Sequence, residues 1–190
     1  MNQDPFKEYI RESEPNKREK GYAWQTAIGL QAVDGLKTSK YLIDTAIRNI
    51  EGDISIDEVN SLLNSYYEEN PKQDPGDRTE EADKVSVRIV KVLSETGFSF
   101  TPNEYISIHK KLFTGIYRHA GKIRDYNIKK KEWVLDGETV LYGNASELRD
   151  TLEYDFSEER TFSYKGLSIN EIIHHLAVFV SRLWQIHIFE

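Results

Sequence analysis

At four places where a helix is expected to open, a small polar residue is followed three places later by glutamate. The four are Ser55-Ile56-Asp57-Glu58, Thr101-Pro102-Asn103-Glu104, Asn144-Ala145-Ser146-Glu147 and Ser168-Ile169-Asn170-Glu171. In such a capping box the first side chain accepts from a free backbone N–H of the opening turn, and the glutamate reaches back to another. Each box precedes a run with apolar residues at helical spacing. A chain that repeats this signal is committed to helices, and Pro102 at a first helical position strengthens one of them. Two further helices are expected upstream, from Tyr22 to Val33 and over "TSKYLIDTAIRNI". Gly35 breaks the first, and Gly52 caps the second.

Only one segment reads differently. In "EWVLDGETVLYG" two β-prone runs flank Asp136-Gly137, a pair suited to a hairpin turn with positive φ at both central residues. The expected fold is therefore mainly α, with one β-hairpin. The prolines and glycine of residues 70–78 mark the best linker. The chain divides into a polar segment 1–20 with a short helix near Phe6–Ile10, a helical region 21–70, a linker 71–78 and a second helical region 79–190. In the second region Val85, Ile89, Val92 and Leu93 are expected on the inner side of one helix. Ile169, Ile172, Ile173, Leu176, Val180 and Leu183 do the same for the last.

Composition excludes several functions. The net charge is −7, and the only basic run, Lys129-Lys130-Lys131, is short, so a broad nucleic-acid surface is not expected. With no cysteine there are no disulfides, thiolate metal sites or cysteine nucleophiles. The N-terminus is charged and carries no signal peptide. No stretch reaches the ~18 apolar residues of a membrane span. A cytoplasmic protein without membrane or nucleic-acid partners is expected.

Two features could carry chemistry. His187 lies four places after Leu183 and so continues the apolar stripe. It reads either as a core histidine at a helix end or as a general base, since neutral imidazole can take a proton from a hydroxyl. The hairpin reads either as a structural arm or as an open edge for an extended peptide. His174 and His175 are adjacent on a helix, about 100° apart, and cannot chelate one metal together. His109 and His119 have no partner at metal spacing, so no metal site is expected.

Taken in order, these segments resemble the Fic/Doc superfamily from about residue 85 onward. "IHKKLFTGIYRHAGKIRDYNI" resembles the helix and turn before that family's hairpin, with its Phe/Tyr-Ala-Gly-x-x-Arg pattern relaxed to His119-Ala120-Gly121-Lys122-Ile123-Arg124. "EWVLDGETVLYG" resembles the hairpin flap. "LWQIHIFE" resembles the start of the signature His-x-Phe-x-(Asp/Glu)-Gly-Asn-x-Arg. Upstream, "TAIRNIEGDISIDEVNSLL" is similar to the inhibitory, antitoxin-like helix of some members, whose motif is Ser/Thr-x-x-x-Glu-(Gly/Asn). Glu51-Gly52 fits its end, while Ile47 stands in the Ser/Thr slot and the nearest hydroxyl is Thr45.

The resemblance implies a Fic-like helical bundle with a flap, and transfer of AMP from ATP to a Ser, Thr or Tyr hydroxyl of a target protein. It implies His187 as the base and Phe189 as the anchor of its loop. It implies Glu132, Trp133, Val134 and Leu135 as the target-binding part of the flap. Glu51 and Gly52 would be autoinhibitory, with the carboxylate competing with the γ-phosphate of ATP for a signature arginine. Mg²⁺ would be held by the acid at the fifth signature position, which follows Glu190. The sequence is thus expected to hold an incomplete core and to be inactive by itself. Two alternatives stand beside this one: Doc-like phosphotransfer, and a non-catalytic helical module that binds a partner.

Overall fold

The computed structural model describes residues 4–11, 14–71, 74, 76–131 and 136–189. Among these, seven α-helices and one two-stranded antiparallel sheet make a mainly α fold. The chain forms two compact units, Met1–Gly97 and Phe98–Glu190.

The first unit holds a 3-10 turn at Tyr9–Arg11 and four helices: α1 (Pro15–Val33), α2 (Lys40–Glu51), α3 (Ile56–Glu69) and α4 (Thr79–Leu93). Helix α1 starts at Pro15 rather than Tyr22, because proline at the first position has its φ already set and lacks only an N–H the helix would not use. The polar segment before it is also tied down. Phe6 is buried, and a Cβ at Gly21 would meet the Cβ of Tyr9 at 2.8 Å. Trp24, Leu42, Ala46, Val59 and Val87 centre the core. Asn49 accepts from Trp24 Nε1 at 3.1 Å and donates to the Ile54 carbonyl at 2.9 Å, so these buried polar groups are satisfied.

Helix α4 packs on α1 and α3 within this unit. Its buried positions are Ala82, Asp83, Val85, Ser86, Val87 and Val90, and Leu93 is exposed. Val85 is buried and Ile89 packs on the core as expected, but the inner face also takes in the polar Asp83 and Ser86. Asp83 accepts from Ser39 N (2.8 Å), Ser39 Oγ (2.5 Å) and Tyr67 Oη (2.6 Å). Burial raises the pKa of this carboxyl despite those donors.

The second unit holds α5 (Pro102–Phe113), β1 (Lys129–Lys131), β2 (Thr139–Leu141), a 3-10 turn (Ala145–Glu147), α6 (Leu148–Thr161) and α7 (Ile169–Ile186). The expected cap residues are in place, although only one of the three boxes in this unit is complete. Thr101 accepts from Glu104 N, and Ser168 and Glu171 close a complete capping box. Asn144 caps the 3-10 turn that leads into α6. Lys130 pairs with Val140 across the hairpin, and Asp136 and Gly137 both take positive φ, 53° and 82°. The sheet begins at Lys129, earlier than the β-prone residues suggested. Leu148, Leu152, Phe156, Phe179, Ile186 and Ile188 form the core. Helix α7 therefore packs through Phe179, Leu183 and Ile186, while Ile169, Ile173, Leu176 and Val180 are exposed.

Candidate active site

The site is built where α7 ends. Ile186 is its last helical residue, and His187 turns the chain into the left-handed region with φ 46° and ψ 65°. That conformation strains a residue with a Cβ and persists only where the surroundings enforce it. Arg124 supplies the enforcement. Its guanidinium donates to the carbonyls of His187 (2.8 Å), Ile186 (3.1 Å), Gly143 (2.5 Å) and Tyr126 (2.7 Å). Its backbone N–H donates to the Ile188 carbonyl at 3.0 Å. One residue thus ties down three consecutive carbonyls at the helix end, where the macrodipole favours a cation. Arg124 is 5% exposed; burial lowers its pKa, yet an arginine stays charged.

The hairpin reaches the same place. Gly143 N donates to the Gln185 carbonyl at 3.3 Å, and a Cβ on Gly143 would lie 3.2 Å from the Ile186 Cα. Only glycine lets the two backbones meet so closely. Just before it, Tyr142 is buried with its ring stacked on that of His187 at 4.4 Å. From β1, Lys130 Nζ lies 3.1 Å from His187 Nε2. An ammonium only donates, so Nε2 keeps its lone pair and the ring proton sits on Nδ1. His187 is half-buried and borders a cleft of about 430 Å³ with Tyr105, Val180, Leu183, Trp184 and Phe189.

Phe189 inserts beside α5. Its ring stacks on His109 at 3.7 Å, with planes 3° apart, and touches Tyr105 at 5.4 Å. His109 Nδ1 in turn accepts from Gly121 N at 2.9 Å. Burial, helped by His119, depresses the His109 pKa to about 4, so the ring is neutral and donates only through Nε2. His109 was assigned no role from sequence. Its partners lie far along the chain, and no spacing rule links them.

The remaining expected residues fall elsewhere. Glu132, Trp133, Val134 and Leu135 lie outside the described residues, as does Glu190. Glu51 ends α2 in the first unit, followed by Gly52 in the left-handed region at φ 91°. The Glu51 carboxylate meets Lys17 Nζ at 2.6 Å, and donation from Lys17 and then Tyr9 lowers its pKa. Ile47 is half-buried against the first core, and the Thr45 hydroxyl donates to the Tyr41 carbonyl at 2.7 Å. His175 pairs with Glu159 at 2.6 Å and stacks on Phe162, while His174 is exposed. Among the described residues no cluster of three acidic or histidine side chains could hold a metal ion, and no helix is long and apolar enough to cross a membrane.

The second unit thus presents a histidine at a clamped helix end beside a short hairpin. Residues 99–190 match the family model described as Fic/DOC family, and this part of the chain is a Fic/DOC family domain. No curated protein and no solved structure matches the chain.

Proposed function

We propose that the protein carrying this domain is a self-inhibited adenylyltransferase that moves AMP from ATP to a Ser, Thr or Tyr hydroxyl of a target protein. The observation that carries the proposal is His187, whose Nε2 keeps its lone pair at a cleft while its backbone is fixed through Arg124. In the step, the target oxygen attacks the α-phosphorus of ATP and its proton passes to His187 Nε2. The bond from the α-phosphorus to the bridging oxygen breaks, and pyrophosphate leaves with that electron pair. Lys130 yields Nε2 to the incoming hydroxyl. A fixed base positioned this way contributes about 10²–10⁴-fold, and the clamp supplies the orientation the step requires. The described residues offer no cluster that would hold Mg²⁺.

The target segment docks by strand addition along the hairpin, which has only two strands among the described residues. Self-inhibition rests on Glu51. Its carboxylate competes with the γ-phosphate for the signature arginine, and its pairing with Lys17 draws it away from that role.

The test is to incubate the protein bearing the complete family signature with target-containing lysate and ATP labelled at either the α or the γ position. Labelling of protein from α-labelled ATP alone, abolished by His187→Ala, is the expected result. Labelling from γ-labelled ATP alone makes the enzyme a kinase, and labelling from neither rejects both transfers.

A further inference from the structure

The structure assigns a charge preference to the proposed target: an extended segment in which acidic residues flank the modified hydroxyl residue on both sides. This inference rests on the proposed docking of the target along the hairpin and deepens it.

Side chains on a strand alternate between its two faces, and cross-strand neighbours share a face. The contacts at His187 fix which face is which. Lys130 reaches its Nε2, and Tyr142 stacks on its ring. Val140, paired with Lys130 and two residues before Tyr142, belongs to the same side. Lys129 and Lys131 therefore stand on the opposite side, with their partners Leu141 and Thr139. All three lysines of β1 are exposed. None of the ion pairs among the described residues involves Lys129 or Lys131.

Now add a third strand on the outer edge of β1. A residue of that strand whose hydroxyl points to His187 lies on the Lys130 side. Its two neighbours in sequence then point to the other side, beside Lys129 and Lys131. Two unpaired ammonium groups there favour carboxylates on those neighbours and oppose cations. The chain as a whole carries a net charge of −7, so this three-lysine strand stands against the general sign of the surface. The preferred local pattern is acid, hydroxyl residue, acid.

Fluorescein-labelled peptides of nine residues test this by anisotropy with the present chain. They carry Asp-Tyr-Asp, Ala-Tyr-Ala or Lys-Tyr-Lys at the centre of one extended sequence. The expected result is that the acidic peptide binds about tenfold more tightly than the neutral one at low salt. That advantage should shrink at 0.3 M salt. The double variant Lys129→Ala/Lys131→Ala should lose the preference, while Lys165→Ala, on another exposed loop, should keep it. Equal binding of the acidic and neutral peptides, no binding of any peptide, or a preference that survives the double variant overturns the inference. Its failure is separable from that of the proposed activity. Acid-selective binding in a protein that transfers no α-label rejects the activity and keeps the recognition. Transfer of α-label without regard to flanking charge does the reverse.

Discussion

Arg124 holds the backbone at His187 through its carbonyls, while His109 stacks on Phe189 and accepts from Gly121 N. Arg124→Ala would strand the carbonyls of Gly143, Ile186 and His187 and is expected to cost about 3–5 kcal/mol, the range for breaking a buried charged network. Arg124→Lys is expected to recover little, because one ammonium cannot span carbonyls that a planar fork reaches together. Urea denaturation of the three proteins checks both statements. For His109 the sign follows from its depressed pKa of about 4. The unfolded ring, with a pKa near ~6.5, binds the proton more tightly than the folded one. Stability present above ~6.5 is thus lost as the pH falls toward 4. The loss is at most about 3 kcal/mol and smaller in practice, since the ring is partly exposed. His109→Asn keeps an acceptor for Gly121 N and should flatten the difference in urea midpoint between pH 7 and pH 4.5. The sequence marks out His187 and Phe189 by their resemblance to the opening of a signature, and Arg124 by its place in Ala120-Gly121-Lys122-Ile123-Arg124. What Arg124 does was not legible, because its carbonyl partners at 143, 186 and 187 come from segments distant in sequence.

At the scale of elements, local signals transferred faithfully and periodicity transferred poorly. Capping boxes involve residues three apart, so sequence alone suffices. Ser168→Ala should accordingly cost only about 1 kcal/mol, read as a small shift in the thermal midpoint. Gly121→Ala should cost several times as much, on the order of 3 kcal/mol, since it combines a left-handed φ of 72° with a Cβ 2.5 Å from that of Lys110. The same thermal scan separates the two classes of effect. Helix α7 shows why apolar spacing misled. It is apolar on more than one side, so the spacing of Ile169, Ile173, Leu176 and Val180 is as helical as that of Phe179, Leu183 and Ile186. Packing partners, which periodicity does not contain, chose the second set. Helix α4 was read in part: Val85 and Ile89 do face inward, but Asp83 and Ser86 share that face and a search for apolar stripes passes over them. The hairpin turn was legible because Asp136-Gly137 states its own backbone conformation. Its lysine strand was not, because three lysines have no β preference to announce.

For the whole molecule, the prolines at 70–78 mark a loop, yet the compact units part at Gly97 and Phe98 because α4 packs back on α1 and α3. The inhibitory proposal can be tested through a residue entirely within the first unit. Glu51 has two prospective partners, Lys17 and the signature arginine, and one carboxylate cannot serve both at full strength. Lys17→Met removes the nearer cation at 2.6 Å and leaves Glu51 freer to inhibit. Transfer of α-label by the complete protein should fall. Glu51→Gly should raise it, and the double variant should match Glu51→Gly, because Lys17 can act on transfer only through that carboxylate. If Lys17→Met lowers transfer equally in the presence and absence of Glu51, the lysine acts by another route and the competition is rejected. The urea midpoint of each variant provides the control, since loss of an exposed ion pair should leave it close to that of the parent.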